Sequence, residues 1–245
     1  MVDTALSFAA LLPLLVANLF AGRLASVAPA SQRRLSSFAG GVASAYVFLL
    51  VLPKLAGQQA LLEQATSGWP LIDYFYHHAY AVALAGFVTY YLVNSIAHAT
   101  DATVPRNMRG AVLVLGFGAY SALIGDLIAA QDTQPLPLAL FSTALTFHLV
   151  GLNLAVYGHL SRSWKWLRAL LLTFLFLGWL VGLVSPIPPL VHSLVSAWIA
   201  GGIIILVVLI ELPKERRPGA FVAGALTFAV LLKLNLYLTG VEGGV

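Results

Sequence analysis

Two residues in this chain are placed to do chemistry together, His148 and Tyr120. An imidazole titrates near neutral pH and can relay a proton or act as a ligand, and a phenol can hold it by a hydrogen bond. Each lies near the middle of a long apolar run, so their depths match, and a bond between them is expected if their helices face each other. His148 has two readings: a ligand or proton-relay group, or a neutral histidine satisfied by one neighbour, because polar side chains commonly tie transmembrane helices together. The same hairpin, residues 113–159, also carries Ser121, Asp126 and Asn153. Polar groups deep in an apolar protein are expensive to keep, so each is a candidate for function.

Asp126 lies off the face of Tyr120 and continues a small-residue stripe of Gly118, Ala122 and Ala129, a pattern that suits close helix packing. Lys233 falls near the outer end of the last apolar run, at a depth similar to Asp126. It either pairs with Asp126 or snorkels to the interface. Glu211 sits beside Lys214, Arg216 and Arg217, so it is an interfacial ion-pair partner or an exit-site ligand. Asp73 and His77 are four apart and make a weak outer metal-capturing patch, whereas the adjacent His77 and His78 point about 100° apart on a helix. His192 reads as a solvated interfacial residue, and His159 as one at the cytoplasmic end.

The elements that position these groups are helices in a bilayer. Hydrophobic residues make up 60% of the 245, charged residues 9%, and mean hydropathy is +0.92, far from a soluble composition. Eight apolar runs are expected to span, at 5–24, 38–55, 74–94, 110–130, 138–160, 164–184, 190–212 and 220–238. The second is expected to close at Pro53-Lys54, followed by a polar linker holding Gln58, Gln59, Glu63 and Gln64. The first lacks the basic n-region of a signal peptide and reads as a retained helix. The whole chain, 1–245, forms one transmembrane domain.

Basic residues fall in or beside the odd-numbered loops: Arg23, Arg33, Arg34, Arg106, Arg109, Arg162, Lys165, Arg168, Lys214, Arg216 and Arg217. Only Lys54 lies near an even one. The positive-inside rule then puts both termini outside the cytoplasm, and the expected location is the cell inner membrane. An internal echo links Ala39-Gly40-Gly41 before Leu52-Pro53-Lys54 to Ala200-Gly201-Gly202 before Leu212-Pro213-Lys214, with spacing that differs by one. It marks either an inverted repeat of helices 1–3 and 6–8 around helices 4–5, or a chance recurrence of small residues and helix-ending prolines.

With eight spans, outside termini, Ala39-Gly40-Gly41 opening and Leu52-Pro53 closing helix two, and Ala200-Gly201-Gly202 to Glu211-Leu212-Pro213 on helix seven, the chain resembles the ZIP (Zrt/Irt-like) family of divalent-metal transporters. That family carries His-Asn/Ser-x-x-Asp/Glu-Gly on helix four and His-Glu-x-Pro-x-Glu on helix five. Here the first motif falls on Tyr120 to Gly125, where Ser121 and Gly125 fit while Tyr120 and Ile124 hold the His and acidic positions. The second falls on His148 to Asn153, where His148 fits and Asn153 replaces the second Glu. The resemblance implies a ZIP-like all-α bundle working by alternating access, with a substrate path between helices two, four, five and seven. It makes His148, with Ser121 and Glu211, the candidate ligands for a divalent cation carried as substrate, and Tyr120, Asp126, Asn153 and Lys233 candidates along the path.

The competing reading is a metal-independent scaffold, partner subunit or carrier of a different solute on the same fold, favoured by the missing acidic ligands. An enzyme is not expected, because no phosphate loop, nucleophile elbow or His-Glu-x-x-His signature occurs. The absence of cysteine excludes disulfides and thiolate-bound zinc, and no resident cofactor is called for. The partners expected are the lipid bilayer and a small ion or solute, with no nucleic acid; a homo-oligomer stays open.

Overall fold

A computed structural model describes residues 3–24, 29–62, 78–97, 105–130, 134–159, 165–184, 188–211 and 217–239. Among them the fold is all-helical, with no strand. Helix α1 is Thr4–Leu24, and α2 runs over 29–62 as Pro29–Tyr46, a π-helical turn Val47–Val51, and Leu52–Leu62. Helices α3, α4, α5 and α6 are Ala79–Ala97, Arg106–Ala129, Pro135–His159 and Lys165–Val184. Helix α7 runs over 189–211 as Pro189–Leu206 and a second π-helical turn, Val207–Glu211, and α8 is Pro218–Thr239.

Among the described residues, six segments are long and apolar enough to cross a membrane, within α2, α3, α4, α5, α7 and α8. Thr4–Phe20 of α1 and Ala169–Val184 of α6 are shorter apolar helices. Helices of this length and composition are those of an integral membrane protein. Leu226, Val230 and Leu234 on α8 are exposed, as expected of side chains that meet lipid.

Helix α2 is longer than its apolar pattern suggested. Proline lacks an N–H and its ring crowds the carbonyl four residues back, so Pro53 reads as a stop. The chain instead widens into the π turn just before it, and the Leu52 N–H bonds the Val47 carbonyl five residues back. Tyr46 and Leu52 both keep helical backbone angles, φ −58°, ψ −45° and φ −65°, ψ −45°, so the helix continues. Gln58 and Gln59 therefore lie on α2 and not in a linker. The Gln59 Oε1 accepts the Ala79 N–H at 2.6 Å, which ties the end of α2 to the start of α3.

The strongest packing joins α4 to α6, α3 to α7, α2 to α8 and α1 to α5. Each pair is parallel. On α4, Gly118, Ala122 and Asp126 lie against Phe174, Gly178 and Gly182 of α6 in the same order. Between α2 and α8, Ser37 meets Arg217 and Tyr46 meets Phe228. Ser142 of α5 bonds the Ala10 carbonyl of α1, and Val150 packs with Ala17 further along.

Small residues let these backbones touch. A methyl at Gly41 would run into the Phe221 carbonyl, and one at Gly224 into the Phe38 carbonyl. The contact between α7 and α3 has the same form, Gly201 against Ala83 and Gly86 against Trp198. The largest buried apolar cluster among the described residues, including Leu11, Val42, Ile124, Leu145, Leu175 and Leu206, runs through the bundle.

Candidate functional site

Tyr120 and His148 meet as their depths suggested. The Tyr120 hydroxyl and His148 Nε2 are 2.7 Å apart, and both residues are 0% exposed. The pair is part of a longer aromatic column. The Tyr90 ring of α3 stands T-shaped on Tyr120 with centroids 4.9 Å apart, and Trp198 of α7 tilts against Tyr90 at 5.0 Å. Gly202 makes room for the Tyr90 ring, which a methyl there would strike. Sequence reasoning missed Tyr90 and Trp198, because an aromatic inside an apolar run looks like core and no spacing links residues on four helices.

Ser121 and Asp126 turn to other partners. The Ser121 hydroxyl donates to the Phe117 carbonyl at 2.9 Å on its own helix. Asn153 lies on α5 and Glu211 closes the second π turn; their side chains are outside the described residues. The same holds for His159, and Asp73 and His77 lie outside the described residues altogether.

Asp126 is buried on the α4 face that packs against α6, as its small-residue stripe predicted, and Gly182 lies against its carboxylate. Its Oδ2 has no hydrogen-bond partner among the described residues. Of the two readings of Lys233, the pair with Asp126 is not the one seen: Lys233 is exposed on α8, which packs against α2 and α5, and the titratable group beside Asp126 is His192 near the start of α7. His192 is thus half-buried beside an acidic group rather than a freely solvated interfacial residue.

A cavity of about 190 Å³ opens between α2, α4, α5 and α7. It begins at the end of the bundle where α2 and α4 finish and α5 and α7 start, with Gln58, Leu127, Pro137 and Ser196 in its wall. It reaches Tyr46 and Ile203 near the middle of α2 and α7. Lys54 lines it, exposed although it belongs to the apolar span Ala30–Ala60, with its Nζ 6.0 Å from the centre of the Phe141 ring. At the same end of the bundle, the Trp179 Nε1–H donates to Ser7 Oγ at 2.7 Å and ties α6 to α1, the Ser7 hydroxyl lying near the Ile128 carbonyl of α4.

Lys54, Gln58, Tyr46 and Ser196 are site residues that the sequence did not disclose. The signal for Lys54 was the proline before it, which made the lysine look like a flanking charge. Among the described residues, no three His, Asp or Glu side chains converge where a metal ion could be held. The chain matches no family model and no curated protein.

Proposed function

We propose that this protein is a membrane carrier on a ZIP-like fold of eight spans, whose substrate path runs between α2, α4, α5 and α7. The observation that carries this reading is the cavity, which is walled by those four helices and reaches from one end of the bundle to its middle. The central position where the resembled family binds metal is filled by Tyr120, which engages His148, so the substrate belongs to a different class from divalent cations.

Eight alternating spans agree with the pairing, since each of the four strongest pairs joins two odd or two even helices and is parallel. The inverted repeat has support as well. Phe38, Gly41, Val47 and Pro53 on α2 stand at one constant separation in sequence from Trp198, Gly201, Val207 and Pro213. Both π turns thus fall at the same distance before Leu-Pro-Lys. In a repeat that exchanges helices 1–3 with 6–8, the α2–α8 contact becomes the α7–α3 contact and the α1–α5 contact becomes the α6–α4 contact. The matching register uses Gly41 with Gly201, one residue off the Ala-Gly-Gly alignment.

A scaffold is the second reading, favoured by the aromatic column that fills the space among α3, α4, α5 and α7. Accessibility separates the two. The chain has no cysteine, so Ser196→Cys introduces a single thiol at the cavity wall. In sealed, uniformly oriented proteoliposomes a carrier exposes this thiol to a membrane-impermeant maleimide from either face as its conformers exchange. Labelling from one face alone overturns the carrier and leaves the scaffold.

A further inference from the structure

Resting on the carrier reading, we propose that the cavity between α2, α4, α5 and α7 binds a small organic monoanion, a carboxylate or sulfonate on a short apolar chain, through Lys54, Ser196 and Gln58. Lys54 is the charged side chain of the cavity wall among the described residues. A lysine within a membrane span is kept at considerable expense and is expected to face a partner or a water-filled path. None of the described carboxylates forms an ion pair with it, and Phe141 offers only a ring face at 6.0 Å. Asp126 is not part of the wall, although it and Lys54 both lie near His192.

Ser196 supplies an independent pointer to a ligand. It is 8% exposed, lines the cavity, and its hydroxyl has no hydrogen-bond partner among the described residues. A buried hydroxyl left without a partner is unfavourable, and an anion oxygen would satisfy it as acceptor. Gln58 adds an amide that can donate to the same oxygens. The remaining wall, with Leu127, Phe141, Ile199 and Ile203, is apolar and suits a hydrocarbon tail. A cavity needs about 10–15 Å³ of such open space to hold one water. The cavity's 190 Å³ therefore has room for a small organic ligand. A divalent cation at this place would meet the charge of Lys54 with no carboxylate in the wall to hold it.

The probe is radiolabelled butanesulfonate, which stays ionised at any working pH, bound at equilibrium to the full chain purified in detergent. Butyrate is expected to displace it, while the neutral isostere butyramide and zinc chloride do not. Lys54→Met is expected to weaken binding tenfold or more, Lys54→Arg to keep most of it, and Ser196→Ala to give a smaller loss. Thermal unfolding of each variant reports whether it is folded. If Lys54→Met does not fold, the butyrate and butyramide contrast on the native protein and the Ser196→Ala loss decide the matter. Equal displacement by butyramide, or native binding by a folded Lys54→Met variant, overturns the proposal. Anion binding without butanesulfonate counterflow in proteoliposomes upholds the site and refutes the carrier. No anion binding together with two-faced labelling of Ser196→Cys refutes the site and leaves the carrier standing.

Discussion

The bond between Tyr120 and His148 forms where water has no access, with both residues at 0% exposure, so a lost partner is not replaced by solvent. Tyr120→Phe keeps the ring stacked under Tyr90 and removes only the hydroxyl. Side-chain hydrogen bonds between membrane helices are worth about 0.6 kcal/mol on average and up to about 1.7. The variant is expected to lose about 1 kcal/mol of stability, because the imidazole nitrogen is left buried. Reversible unfolding in mixed micelles measures this, and an unchanged free energy would mean that the bond holds nothing together. The pair was legible in the sequence because two polar residues stand out in apolar runs and their depths can be counted. Lys54 was not legible, although its charge is as conspicuous. Its place in the cavity wall depends on the helix continuing past Pro53, which follows from the π turn and not from residue type.

At the scale of the helix, backbone contact through glycine controls how close α2 and α8 come, as well as α7 and α3. Gly41→Ala is expected to push the α2–α8 contact apart, because its methyl meets main-chain atoms of Phe221 and Ala225 that cannot rotate away. Overpacking of this kind costs about 1–3 kcal/mol. Gly57, also on α2, has nothing within 4 Å of the place a methyl would occupy, so Gly57→Ala is expected to be neutral or to stabilise by up to about 1 kcal/mol through helix propensity. Thermal midpoints of the two variants, taken side by side, check this, and an equal loss in both would remove the special role of the contact. The small-residue stripes were readable in advance, as was the packing face of Asp126. The partners of those stripes were not, since pairing of α2 with α8 depends on elements far apart in the chain.

For the molecule as a whole, a His148 engaged by Tyr120 and a cavity lined by Lys54 offer no charged ligand set for a divalent cation among the described residues. Purified protein in liposomes is therefore expected to give no saturable uptake of zinc, manganese or iron above protein-free vesicles. Saturable uptake that His148→Ala abolishes would restore a reduced metal site and overturn the reading. The parallel pairing of α2 with α8 and of α3 with α7 also bears on how the chain is made. Synthesis runs from the N-terminus, so the Gly41 face of α2 is inserted long before its cover exists. Until α8 leaves the ribosome, that groove is open to lipid, to a chaperone or to a neighbouring copy. Closure of that face of α2 thus waits on α8, a helix of 22 residues.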